Sequence, residues 1–258
     1  MFFRTERSVK EFFYAYPIVT TIISLNLLLW VITHVLPFEF GKELYFLGSG
    51  NNYLIYKHEE YWRFITPIFL HASGLSHVVL NSFALVIFAP PLEQMLGKIK
   101  FPIMYLLAGI LGNLGTYLVD PASTTFHIGA SGSIYGIFGL FVFMVFFRKS
   151  LMDQASGQLI FTISIIGMVT TFIFPGINIY AHLFGFIGGF LIAPLFLRNV
   201  KPFSVYRNKR PPVKQGPGGV AFDPNRWEKK QLIPKFIRDN SVIFIFILIV
   251  IIVALAGM

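Results

Sequence analysis

Apolar residues in this chain come in long runs, and the length of those runs constrains the fold more than any other feature. A helix needs about 20 mostly apolar residues to cross a hydrocarbon layer about 30 Å thick. Inside that layer the backbone polar groups must be satisfied within the protein. Seven stretches qualify: 16–37, 75–96, 101–119, 131–147, 158–174, 179–197 and 241–257, the fourth being short. Of the 258 residues, 55% are hydrophobic and 13% are charged, where a soluble domain carries about 25% charged residues. An ordinary soluble enzyme and a disordered chain are both excluded. Without cysteine there is no disulfide, no thiolate metal site and no thiol catalysis. The first run is too long for a cleavable signal peptide, and Asn26, Trp30 and His34 interrupt it. The expected fold is an all-α polytopic membrane protein. Its parts are an N-terminal segment (1–15), a six-helix core (16–198), a basic linker (199–240) and a seventh transmembrane helix (241–258).

The net charge of +9 reads as a topology signal. All Lys and Arg except Lys42, Lys57 and Arg63 lie in alternate regions: before the first run, after the second, after the fourth, and in the tail after the sixth. Positive residues mark the cytoplasmic side. The N-terminus is therefore expected inside and the C-terminus outside, and nucleic acid is not an expected partner. The stretch 211–227 (PPVKQGPGGVAFDPNRW) reads as a linker without a packed core, and its basic flanks suit anionic lipid heads. The last run is uniformly aliphatic and is expected to be structural.

Polar residues within membrane segments are costly and mark function by default. His71, His77 and Asn81 surround the start of the second run, Ser131 starts the fourth, and His182 lies near the start of the sixth. With the assigned topology all of them sit at the outer ends of their helices, at similar depth. Gly132 and Gly136 form a small-xxx-small pair on the fourth run, and Gly185 and Gly189 form another on the sixth. Such pairs permit close helix approach and would bring Ser131 towards His182. A serine needs a base to act as a nucleophile, and neither run contains Asp or Glu. The simplest arrangement is a Ser131–His182 dyad, its imidazole held by packing against Tyr135 one turn after Ser131. A tetrahedral oxyanion needs donors. His77 and Asn81 share a helix face, and the Ser131 N–H at a helix start adds a third. Zinc is the competing use for His71, His77, His127 and His182. There is no H-E-x-x-H, and His71 and His77 are six apart. No metal and no cofactor is expected.

At this point the residues resemble the rhomboid intramembrane serine proteases. Glu60-Tyr61-Trp62-Arg63 resembles the Trp-Arg motif of the family's first loop, and His77-Val-Val-Leu-Asn81 the His-xxx-Asn motif of its second helix. Glu93 matches a structural glutamate. Gly129-Ala-Ser131-Gly132 with Tyr135 is similar to the nucleophile motif, and Ala181-His182-xx-Gly185-xxx-Gly189 to the base motif. The match covers roughly residues 16–198, in family order. The resemblance implies a six-helix rhomboid bundle, with Ser131 as nucleophile, His182 as general base and Tyr135 stacked on the imidazole. His77, Asn81 and the Ser131 N–H would form the oxyanion hole, and Arg63 and Glu93 would be structural. Three departures stand out. His71 and His77 are one residue further apart than is common, so His71 has no assigned role. Ala89-Pro90-Pro91 replaces a glycine-rich turn and is expected to kink the end of the second helix. Phe184 occupies a position where a small residue is usual, with consequences expected for packing between the fourth and sixth helices.

The implied reaction is hydrolysis of a peptide bond in or beside a transmembrane helix of a membrane-protein substrate, near the outer face. Water must reach Ser131 through a polar cavity, and the substrate helix must unwind locally. Lateral access is expected to move the fifth helix and the loop 174–178, where Pro175 and Gly176 allow a bend. The alternatives are a catalytically silent rhomboid-like protein that binds membrane helices and, more remotely, a transporter. The expected location is a bacterial plasma membrane.

Overall fold

The computed structural model describes residues 6, 8–37 and 39–204. The stretch 211–227 and the seventh helix expected at 241–257 lie outside them. The chain forms two compact units, one of which holds Ile18–Phe203. The other contains helix α1 (Val9–Ala15), whose N-cap Ser8 accepts a hydrogen bond from the Glu11 N–H at 3.2 Å.

The larger unit is mostly helical. Its long helices are α2 (Pro17–His34), α5 (Leu75–Val119), α7 (Gln154–Ile173) and α8 (Ile179–Phe196), and all four are long and apolar enough to cross a membrane. Helix α6 (Ser131–Phe147) is apolar but has only 17 residues. Every residue of α6 from Gly132 to Val142 is buried, as expected of a helix that is hydrophobic all round.

Helix α5 has 45 residues. At 1.5 Å per residue it would reach about 67 Å, roughly twice a hydrocarbon thickness. It is broken at Gly97, with φ 82° and ψ 176°, a conformation open to glycine and strained for other residues. Pro90 and Pro91 keep helical dihedrals, so the break lies beyond the expected Ala89-Pro90-Pro91 kink. The two arms, 75–96 and 98–119, run in opposite directions beside α6. On the first arm His77 lies near Gly129 and Phe88 meets Phe138 edge to face. On the second, Ala108 faces Gly136 and Gly109 faces Ser133.

Neighbours alternate in direction elsewhere too. The start of α2 meets the far end of the first arm, where the Glu93 carboxylate accepts the N–H groups of Ile18 at 2.9 Å and Val19 at 2.7 Å. These donors are free at a helix start and attract a negative charge. The far half of α2 meets the chain just before α5, where Trp30 Nε1 donates to the Ala72 carbonyl at 2.9 Å. Helix α7 is antiparallel to α6, with Gly167 beside Tyr135 and Gly157 beside Val145. Helix α8 is parallel to α6, with Gly185 on Gly132 and Gly189 on Gly136.

Between α2 and α5 the chain forms α3 (Glu39–Gly48), strand β1 (Gly50–Asn51), α4 (Asn52–His58) and two short 3₁₀ turns, Tyr61–Phe64 and Thr66–Phe69. Strand β1 pairs antiparallel with β2 (Phe126–His127), Gly50 opposite His127. This small sheet departs from the expected all-α architecture. It ties the first loop to the segment that leads into α6, as does the Gly129 N–H donating to the Pro67 carbonyl at 2.9 Å. Arg63 is the buried tie-point of the loop. Its guanidinium donates to Glu60 Oε2 at 2.5 Å and to the carbonyls of Phe46 at 2.8 Å and Ser49 at 2.5 Å.

Candidate active site

Ser131 is the first residue of α6. Its N-cap Ala130 has no capping side chain, so the N–H groups of the first turn face out of the helix end. The residue before it that matters most is Gly129, with φ 128°. A Cβ there would lie 2.9 Å from His77 Nε2 and 3.5 Å from Ser131 Oγ. Glycine is thus required twice, for the backbone angle and for the approach of the imidazole. The same distances place His77 Nε2 and Ser131 Oγ around one small space.

The state of the His77 ring follows from its neighbour. The Ala72 backbone N–H donates to His77 Nδ1 at 3.1 Å. Since Nδ1 accepts, the hydrogen of a neutral ring is on Nε2, and Nε2–H is a donor on the Ser131 side. Asn81, one turn along, donates through Nδ2 to the His77 carbonyl at 2.8 Å, which keeps both side chains at one end of the first arm. His71 is fully buried, its ring centroid 5.1 Å from that of His77. Burial, and then the neighbouring His77 charge, hold its pKa down to about 3.

His182 is the fourth residue of α8. Asn178 caps that helix, accepting from the Ala181 N–H at 3.0 Å and from Thr116 Oγ1 on the second arm at 3.1 Å. The cap fixes where α8 starts and therefore where His182 points. Gly132 and Ala181, the chain neighbours of Ser131 and His182, lie against each other. A Cβ on Gly132 would sit 3.3 Å from the Ala181 carbonyl, and one on Gly185 would overlap the Gly132 carbonyl. Glycine on both helices therefore allows the two backbones to touch and holds residues 131 and 182 at the same end. Among the described residues no hydrogen bond joins Ser131 to His182 in this state, and such contacts commonly tighten only with substrate bound.

The imidazole of His182 is stacked on the Tyr135 ring, centroids 4.1 Å apart and planes inclined by 18°. Its Nδ1 lies 2.9 Å from Thr171 Oγ1 on α7. Tyr135 Oη donates to the Gly167 carbonyl at 2.6 Å and lies 2.8 Å from Thr171 Oγ1. Thr171 and Asn178 were not singled out from sequence. Asn178 has the N-cap signature, whereas one more threonine on a membrane helix carries no signal of its own. Phe184 packs against Gly115 on the second arm of α5. Its bulk is therefore taken up there and not between α6 and α8, contrary to expectation.

A family model for the rhomboid domain matches residues 58–199. The chain is 42% identical over 198 residues to the rhomboid protein YdcA of Bacillus subtilis, covering 75% of this chain and 94% of that one. It is 34% identical to the rhomboid protease GluP of Bacillus subtilis over 57% of this chain and 28% of that protein. It is 32% identical to RHOMBOID-like protein 1 of Arabidopsis thaliana over 61% of this chain and 39% of that protein. This chain therefore spans under half of the latter two relatives. The arrangement of α2 to α8, the motifs on them and these matches lead to one conclusion: the chain is an integral membrane protein of the rhomboid family.

Proposed function

We propose that the protein is an intramembrane serine endopeptidase that cleaves membrane-protein substrates through Ser131 and His182. The observation that carries this reading is the glycine contact between α6 and α8, which supports a pairing of Ser131 and His182 at one end of two parallel helices. The protease name of the GluP relative points the same way.

In the proposed reaction His182 takes the Ser131 hydroxyl proton as Oγ attacks the scissile carbonyl. The tetrahedral oxyanion is held by the Ser131 N–H, His77 Nε2–H and the Asn81 amide, each worth roughly 10²–10³ in rate. His182 then protonates the leaving amine. Water, deprotonated by the same imidazole, releases the acyl group from Ser131. The length of α6 helps supply that water. Seventeen residues reach about 26 Å, short of the ~30 Å hydrocarbon layer. With Arg148 and Lys149 at the far interface, a helix of this length would leave Ser131 a few ångströms below the opposite surface.

The proposed topology counts α2, the two arms of α5, α6, α7 and α8 as six crossings, with 241–257 as a seventh. The Lys and Arg distribution supports a cytoplasmic N-terminus and a site that opens outside. The Bacillus relatives favour a bacterial plasma membrane. Substrate access is proposed along α7, whose Ile165, Ile166, Val169, Phe172 and Ile173 are exposed. A disulfide engineered between α7 and the first arm of α5 should block cleavage, and unimpeded cleavage would remove α7 as the gate.

The test of the function is cleavage of a single-pass membrane substrate in liposomes by the wild type, Ser131→Ala and His182→Ala. Cleavage by the wild type alone is expected. Equal cleavage by all three would sink the assignment.

A further inference from the structure

Thr171 is 1% exposed and meets the edges of both stacked rings. Its Oγ1 lies 2.9 Å from His182 Nδ1, 2.8 Å from Tyr135 Oη and 2.9 Å from the Gly167 carbonyl. That carbonyl also receives the Tyr135 hydroxyl at 2.6 Å and the Thr170 hydroxyl at 2.8 Å. Each hydroxyl has one hydrogen. The Thr171 hydroxyl donates to the Gly167 carbonyl one turn back, which commits its single hydrogen and leaves a lone pair of Thr171 Oγ1 facing His182. An oxygen placed this way accepts, so the imidazole hydrogen belongs on Nδ1. Should Thr171 instead donate to Nδ1, the ring hydrogen would move to Nε2 and no base would face the serine.

We propose that Thr171 is a positioning residue for the hydrolysis: it accepts the His182 Nδ1–H and so reserves Nε2 for the Ser131 proton. This rests on the Ser131–His182 reading above. Serine hydrolases often use a carboxylate in this place, but α6, α7 and α8 carry no Asp or Glu. A hydroxyl suits an apolar interior because it orients the ring without burying a charge. It also stabilises the imidazolium that forms in the transition state, where both ring nitrogens need acceptors. The tie comes from α7, so the helix proposed to admit substrate also sets the tautomer of the base.

The experiment uses the full chain in detergent and a biotinylated fluorophosphonate. Ser131 Oγ forms a bond to phosphorus, the P–F bond breaks, fluoride leaves, and the serine proton passes to His182. Saturation kinetics separate kinact from KI, and no natural substrate is needed. Thr171→Val keeps the branched shape and removes the acceptor; it should lower kinact ~10- to 100-fold with KI unchanged. Thr171→Ser should stay within ~3-fold of wild type, because the hydroxyl is retained. Melting temperatures report folding, and Thr171→Ala replaces the valine variant should that one not fold. Label on wild-type Ser131 that is lost in His182→Ala establishes the dyad. Against that background, an undiminished kinact for Thr171→Val overturns the positioning role alone. So does a serine variant as slow as the valine one, or a change confined to KI. An unlabelled wild type, or label that survives Ser131→Ala, overturns the dyad and the role of Thr171 together.

Discussion

Along the α6–α8 seam, backbone meets backbone: a Cβ on Gly185 or Gly189 would overlap the carbonyl oxygens of Gly132 and Gly136. Along the α6–α7 seam, side chains intervene. A Cβ on Gly157 would lie 3.4 Å from Val145 and 3.5 Å from Met152, ordinary contact distances, and the end nearer Ser131 is joined by the hydroxyls of Tyr135 and Thr171. The difference separates two tasks. A backbone contact cannot yield, so it fixes the spacing of Ser131 and His182, the proposed nucleophile and base. A seam of side chains and hydroxyl hydrogen bonds can open and close, which suits the proposed roles of α7 in orienting the imidazole and admitting substrate.

The largest effect should come from filling the rigid seam. Gly189→Val is expected to abolish cleavage and leave little folded protein, because the Gly136 carbonyl cannot move aside; overpacking alone costs about 1–3 kcal/mol or more. Fluorescence-detected size exclusion and the cleavage assay check this. Near-normal activity would mean that α8 can slide along α6, which would erase the contrast.

The first loop should respond next. Arg63→Lys keeps the charge but loses the fork that serves Glu60 and the Phe46 and Ser49 carbonyls. A loss of about 2–4 kcal/mol in stability is expected, read as a lower melting temperature together with reduced activity. An unchanged melting temperature would show that the loop is held by the small sheet alone.

Acid should act on the same face. His71 is neutral in the fold, with a pKa held near 3 by burial, whereas the unfolded chain protonates near 6.5. In that window the unfolded state binds more protons, so stability falls as pH drops from about 6.5 towards 3. His71→Phe should flatten the melting temperature against pH. An equally steep curve would move the effect to other groups, such as His127, whose pKa burial holds near 4.

The smallest effect is expected on the compliant seam. Gly157→Ala gains helix propensity of up to about 1 kcal/mol and meets only ordinary contacts. The melting temperature should hold or rise slightly, with activity retained. A loss comparable to that of Gly189→Val would show the two seams to be equally rigid.

Part of this was legible in the sequence. Run lengths gave the apolar helices, and the spacing of Ser131, Gly132, His182 and Gly185 gave a common end. The bend in α5 was less so. Pro90 and Pro91 attracted attention, yet a pair of prolines can stay in a helix whose freed carbonyls find other partners, and the reversal fell to Gly97. The first loop was unread because its short helices and two-residue strand are fixed by distant partners such as His127 and Pro67. Thr171 was unread for a related reason. Its role depends on the rotation of α7 against α6, which no local pattern encodes. The same holds for Phe184, whose space is made by Gly115 on another helix.

The most direct test of the central claim is peptide mapping of the fluorophosphonate adduct in the wild type and His182→Ala. The account predicts a single adduct, on Ser131, lost when His182 is removed. An adduct on another serine, or an undiminished rate on Ser131 without His182, would contradict it.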